Sequence, residues 1–186
     1  MERTLVLIKP DGVQRALIGK VISTFEDCGL KISGLKMVKA NRELAAKHYA
    51  EDKTWMETLG KKAIASYEAS GAKVTETPME IGTRIRNGLM GYLTESPIVC
   101  MVVEGNEAIG IVLKHIGATT SHKADPSTIR GKYSSDSYGL ADKTKRPVRN
   151  VVHASDSKES AEREIGVWFT EKEIFEYKRA DEAAMY

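Results

Sequence analysis

The sequence predicts an α+β sandwich of ferredoxin-like type, in βαββαβ order, with one four-stranded antiparallel sheet, covering helices and a helical insertion. Three observations predict it. Hydrophobic periodicity reads β-α-β near each end of the chain, and the residues between those two runs show only helical spacing. The length, 186 residues, suits one domain able to bury a core.

The elements follow in order. Thr4-Leu-Val-Leu-Ile8 is a short β-branched apolar run, as expected of a strand buried on both faces, and Pro10-Asp11-Gly12 breaks it with turn chemistry. Ile18, Val21, Ile22 and Phe25 recur at helical spacing, with Gly29 just beyond. Ile32, Gly34, Lys36 and Val38 alternate in a half-buried strand, and Asn41 caps a helix through Leu44, Ala45 and His48. Two helical pieces come next. Trp55, Leu59, Ala63 and Tyr67 form one stripe, ended by Gly71; Pro78 opens the other, with Ile81, Ile85, Leu89 and Leu93. Ser96-Pro97 leads into a third strand, Ile98–Val103, and Ala108, Ile111, Val112 and Ile116 form an amphipathic helix. Residues 117–147 are polar throughout, a loop long enough to be functional or disordered. Arg149-Asn-Val-Val-His153 is the fourth strand. Asp156 with Glu159 has capping-box spacing for a helix buried through Ala161, Ile165 and Trp168, and Thr170 with Glu173 repeats the pattern.

Composition narrows the function classes. The net charge of +2, from 28 basic and 26 acidic residues, is too balanced for a nucleic-acid surface. The insertion carries Lys61, Lys62, Lys73, Arg84 and Arg86, offset by Glu57, Glu68, Glu76 and Glu80, which reads as a solvated helical face. No apolar run approaches a membrane span, and Glu2 and Arg3 lead straight into a strand rather than a signal peptide. Cys28 and Cys100 lie far apart in no metal-like spacing and read as buried free thiols, so cytoplasm is the expected location.

Four positions carry chemistry. His153 ends a strand beside a helix start, where anions bind well, and a neutral imidazole nitrogen accepts phosphoryl groups near neutral pH. From spacing alone it reads equally as a histidine bonding a neighbouring carbonyl. Glu164 shares a helix face with Ala161, Ile165 and Trp168, at or beside the buried stripe, where a carboxylate needs a partner. Lys9 leaves the first strand as a point charge suited to phosphate, and Arg130 offers a fork of donors. Taken singly, these two are an ordinary turn lysine and a solvated loop arginine.

Together they form a pattern. Thr4-Leu-Val-Leu-Ile-Lys-Pro-Asp-Gly-Val13, Thr128-Ile-Arg-Gly131, Arg149-Asn-Val-Val-His-Ala-Ser-Asp-Ser157 and Glu159-Ser-Ala-Glu-Arg-Glu-Ile165 resemble the nucleoside diphosphate kinase family in order and approximate spacing, over residues 1–55 and 96–169. The resemblance implies roles residue by residue. His153 matches the phosphorylated histidine, Glu164 the carboxylate holding its ring, and Ser155 the serine near it. Lys9 matches a lysine on phosphate and ribose, Tyr49 a tyrosine beside the transferred phosphate, and Thr119 and Arg130 the binders of inner phosphates. Asn150 matches the sugar contact, and Trp55 stands where an aromatic ring stacks on the base, which tolerates any base. The implied reaction is ping-pong transfer from a nucleoside triphosphate such as ATP to nucleoside diphosphates, with Mg²⁺ held by the nucleotide phosphates. The implied assembly is a homo-oligomer, a hexamer or a tetramer built from dimers, with neither membrane nor specific nucleic acid as partner.

The chain departs from the family at several points. Leu113, followed by Lys114, stands where an arginine is usual, with Lys123 or Arg130 as substitutes, and Lys132 replaces a common aspartate. The stretches at about 56–94 and 134–147 are longer than usual. An Asp52-Lys-Thr-Trp55 start and a long insertion resemble archaeal-type members, so residues 1–186 read as one kinase domain with a helical insertion and a long nucleotide-site loop. Leu113 leaves one alternative, a catalytically weak nucleotide-binding or regulatory protein on the same fold.

Overall fold

The computed structural model describes residues 1–69, 71 and 73–185. Along the chain run β1 (Glu2–Ile8), α1 (Pro10–Gln14), α2 (Ile18–Asp27), β2 (Lys31–Val38), α3 (Arg42–His48), α4 (Lys53–Ala69), α5 (Pro78–Glu95), β3 (Ile98–Gly105), α6 (Ala108–Ile116), α7 (Ile129–Tyr133), α8 (Tyr138–Lys143), β4 (Val152–Ala154), α9 (Lys158–Trp168) and α10 (Glu182–Met185). Two compact units result, one from Met1–Ala40 with the chain from Ser96 onward, the other from Asn41–Glu95.

The first unit holds the sheet, in the order β2-β3-β1-β4 with every neighbour antiparallel. This is the ferredoxin-like arrangement that the element order predicts. All eight residues of β3 are buried, as befits a central strand covered on both faces. Val6, Ile8, Met101, Val103 and Val152 meet Val21, Phe25, Val112 and Ile116 from α2 and α6 in the main core. Leu5, Leu7, Cys100 and Val102 point to the opposite face and are also buried, with α9 packed against β1 there. Cys100 is a buried free thiol as expected, while Cys28, at the end of α2, is half-buried.

Several local expectations shift. Pro10-Asp11-Gly12 opens a short helix rather than a turn, because proline at the first helical position loses no hydrogen bond. β2 carries an irregularity between Ile32 and Gly34, so the alternation holds only from Gly34 on, with Leu35 and Met37 exposed. The fourth strand is confined to Val152–Ala154, which makes His153 its middle residue rather than its last. Ser157, not Asp156, caps α9, accepting from Ser160 N at 3.1 Å. Residues 117–147 are ordered by a short 3₁₀ turn and by α7 and α8, whose caps are Thr128 and Ser137. The Thr170–Glu173 capping box is present, but it starts a single 3₁₀ turn, Glu171–Glu173.

The second unit is helical. Asn41 Oδ1 caps α3 through Leu44 N at 2.8 Å. In α4 the fully buried positions are Met56 and Gly60, one residue round from the expected stripe, where Trp55, Leu59, Ala63 and Tyr67 are half-buried. In α5, Ile81 and Leu93 are buried and Ile85 and Leu89 half-buried. Gly82 lies against the Met56 backbone so closely that a Cβ would overlap it, which lets α4 and α5 pack. Thr77 and Glu80 form a capping box at the start of α5, with Thr77 N donating to Glu80 Oε2 at 2.7 Å.

Candidate active site

Two hydrogen bonds to the Val151 backbone lock the end of β1 to the approach of β4. Lys9 N donates to Val151 O at 2.8 Å, and Val151 N donates to the Asp11 carboxylate at 3.1 Å. Val151 has φ +69°, a left-handed conformation that a β-branched side chain adopts only at a cost of about 1–3 kcal/mol. These bonds from buried Lys9 and Asp11 hold it there. The chain then enters β4, where His153 pairs with Leu7 of β1.

His153 and Glu164 meet, as the helix spacing allows. His153 Nε2 lies 2.7 Å from Glu164 Oε2, and the same oxygen accepts from Ser155 Oγ at 2.8 Å. Glu164 Oε1 accepts from Arg163 Nη2 at 3.0 Å. The carboxylate is buried, 7% exposed, while the imidazole is 23% exposed. A buried carboxylate on Nε2 makes that nitrogen the N–H donor, so the lone pair sits on Nδ1. The pair thus supplies a nucleophilic nitrogen of defined tautomer on a ring that reaches the surface.

The basic side chains form a second cluster. Lys9 Nζ donates to Asn150 Oδ1 at 2.7 Å, and Asn150 Nδ2 donates to Thr119 O at 2.9 Å. Arg130 projects from α7 with Nη1 on Gly117 O at 2.9 Å and Nη2 on Val152 O at 3.0 Å, beside His153. Its Nε is buried without an acceptor among the described residues. Gly117 is required where it stands: its φ is +79°, and a Cβ would overlap the Thr128 side chain. Burial pulls the Lys9 amine down to about 7, with the Arg130 charge adding to the effect and Asp11 opposing it. Burial likewise lowers Arg130 to about 10, against a smaller opposing effect of Tyr138. Two buried basic groups, with the Arg130 charge also disfavouring that of Lys9, make a place where an anion is stabilised.

The first unit therefore brings His153, Ser155 and Glu164 into one hydrogen-bonded group and Lys9, Asn150 and Thr119 into another, with Arg130 bound to the strand that carries the histidine. Tyr49 and Trp55 belong to the second unit. Tyr49 follows α3, and its carbonyl accepts from Arg86 Nε at 2.7 Å. Trp55 lies in the first turn of α4 with its N held by Asp52 Oδ1 at 2.7 Å. Their rings stack, with centroids 6.3 Å apart and planes 12° from parallel. Leu113 packs against the main apolar core, and Lys114 beside it is exposed. Sequence patterns do not single out Asp11 or Arg163, which the structure adds to the site. Asp11, an acidic residue in an apolar strand-to-helix junction, carried a usable signal; Arg163, on the exposed side of α9, carried none.

Known proteins resemble this chain in sequence and in fold. The profile of the family described as "Nucleoside diphosphate kinase" matches residues 2–73 and 80–174. A nucleoside diphosphate kinase of Pyrobaculum aerophilum is 48% identical over 181 residues, covering 95% of this chain and 99% of that protein. One of Pyrococcus furiosus is 45% identical, covering 97% and 90%. Among solved structures, an NDP kinase from Pyrobaculum aerophilum superposes with a TM-score of 0.92 at 45% identity, covering 94% of this chain and 99% of that one. A transition state mimic of the Borrelia burgdorferi nucleoside-diphosphate kinase, with bound vanadate and ADP, does so with a TM-score of 0.81 at 36% identity, covering 98% and 95%. By sequence along nearly its whole length and by fold, the chain belongs to the nucleoside diphosphate kinase family.

Proposed function

We propose that this kinase moves the terminal phosphate of a nucleoside triphosphate, ATP in the first instance, to nucleoside diphosphates by a ping-pong mechanism through His153. The observation that carries the reading is the 2.7 Å contact of His153 Nε2 with the buried Glu164 carboxylate. The Nδ1 lone pair attacks the γ-phosphorus, the bond to the β-phosphate oxygen breaks, and the diphosphate leaves. Charge that builds on the ring is stabilised by Glu164, which Ser155 and Arg163 hold in place. A second diphosphate then attacks the phosphohistidine and restores the free ring. Most of the catalysis is positioning and electrostatics.

Lys9 and Arg130 take phosphate oxygens, Asn150 the sugar, Thr119 the inner phosphates, Tyr49 the region of the transferred group and Trp55 the base. The phosphate-binding side chains Lys9 and Arg130 are cations rather than carboxylates, so Mg²⁺ would be held by the nucleotide phosphates themselves. Bound there, it spreads the charge of the transferring group. Leu113 supplies no charge and Lys114 faces outward, which leaves Arg130 and Lys9 as the principal phosphate cations. We further place the working protein in the cytoplasm, as a homo-oligomer, a hexamer or a tetramer of dimers, with both units in one kinase domain. Among the described residues no helix is long and apolar enough to cross a membrane.

The test is to mix the full chain with γ-labelled ATP and Mg²⁺, isolate it, and assay the bound label. The label is expected to be acid-labile and alkali-stable, absent in His153→Ala, and discharged by added nucleoside diphosphates. Nucleotide binding without any label would sink the phosphohistidine mechanism and leave a binding protein on a kinase fold.

A further inference from the structure

Three cations of the first unit converge on Tyr133, the last residue of α7. Arg15 Nη1 donates to its carbonyl at 2.5 Å, and the ammonium groups of Lys20 and Lys132 lie 5.5 Å and 5.4 Å from its ring centroid. None of the three has a carboxylate partner within ion-pair distance among the described residues, in contrast to Lys31 on Glu104 or Lys36 on Glu173. They border a groove of about 460 Å³ between α2 and α7, lined also by Ser23, Thr24 and Asp27. Asp27 is the single acid in that lining. The ring quadrupole attracts each ammonium, so both lysines are drawn to Tyr133 at the groove's edge. Such an arrangement is completed by a multivalent anion that bridges them, and the Ser23 hydroxyl adds a donor for its oxygens.

We propose that this groove is a second anion site, separate from the His153 centre, whose ligand is a small phosphate-bearing anion gripped between Lys20 and Lys132. α7 faces both ways. Arg130 points inward to Gly117 and Val152, while Lys132 and Tyr133 border the groove. An occupant would therefore rest on the outer side of the turn that positions Arg130. The proposal stands on the geometry of the groove and does not depend on the phosphohistidine mechanism.

The experiment titrates the full chain with inorganic pyrophosphate, and separately with ADP, by calorimetry in low salt. It compares the wild type with Lys20→Met/Lys132→Met, whose side chains make no ion pair and bury nothing. Pyrophosphate is expected to fill two sites per chain in the wild type. In the double variant the second should weaken at least tenfold, while labelling of His153 by ATP stays within twofold of wild type. Two sites for ADP as well would identify a nucleotide as the occupant, and two for pyrophosphate alone an inorganic phosphate. A single site in the wild type, or two undiminished sites in the double variant, overturns the proposal. The labelling assay reports separately on the kinase mechanism, so failure of one reading is distinguishable from failure of the other.

Discussion

Lys9 is a lysine at the end of a buried strand whose amine burial holds near 7 rather than 10.5. Below pH 7 it is protonated in both the folded and unfolded chain, and the folded state bears the full cost of a buried cation. Between pH 7 and 10.5 the unfolded chain binds more protons, so this residue makes stability rise with pH. Urea unfolding at pH 7 and pH 9.5 should show wild type gaining on Lys9→Met by on the order of a few kcal/mol. A constant difference between the two proteins would show that the amine is not desolvated. Glu164 carries a second prediction. Glu164→Gln removes a charged acceptor from His153 Nε2 and Ser155 Oγ. Such bonds contribute about 1.5–3 kcal/mol, so phosphoenzyme formation in rapid-quench measurements should slow roughly 10- to 100-fold. An unchanged rate would remove the carboxylate from the mechanism. At this scale the sequence was informative about identity and silent about contact. His153 and Glu164 were both legible, but the 2.7 Å between them needs β4 and α9 folded together. The part played by Asp11 in holding Val151 left-handed arises between segments 140 residues apart, out of reach of any local pattern.

Elements were legible wherever periodicity or a capping residue reports a local free-energy preference. α2, α3, α6 and β3 fall where apolar spacing and the Asn41 cap put them. Boundaries were less legible, because neighbouring capping residues compete. Asp156 and Ser157 have equivalent chemistry, and in the folded chain it is Ser157 Oγ that accepts from Ser160 N. Ser157→Ala should cost about 1 kcal/mol, lowering the melting temperature by roughly 2–4 °C, whereas Asp156→Ala should leave it nearly unchanged. The reverse order in calorimetric melting would move the cap back by one residue. The polar stretch 117–147 reads as a loop in sequence because its order comes from tertiary bonds. Asp136 is held by Arg146 in a two-point pair at 2.6 and 3.0 Å and accepts from Arg149 N, and Ser134 Oγ bonds Arg149 O. The Arg146 guanidinium, helped by Arg149 N and Ser137 N, keeps the Asp136 carboxyl below its usual range. Asp136→Asn should therefore open this loop, with limited proteolysis cutting within 134–147 at least several-fold faster than in wild type. Equal cutting rates would assign the order of the loop to other contacts.

For the whole molecule, ligand binding and stability are linked. A nucleotide that binds only the folded chain stabilises it by about 2.7 kcal/mol at one hundred times its dissociation constant. ADP at that level should raise the melting temperature by roughly 5–10 °C, and Arg130→Met, lacking a principal phosphate cation, should show most of that rise lost. A full rise in the variant would place the phosphates elsewhere. The sequence by itself determined the sheet's composition, the class of fold and the family, since hydrophobic period acts within a segment and the Asn-Val-Val-His-Ala-Ser-Asp motif is contiguous. Tertiary structure alone decided the rest. The order β2-β3-β1-β4 brings the first and last strands together, and Lys9 meets Asn150 only there. It also determined which cations lose their water. Lys9 and Arg130 differ from Lys20 and Lys132 not in sequence chemistry but in burial, and burial depends on what the whole chain packs around a side chain.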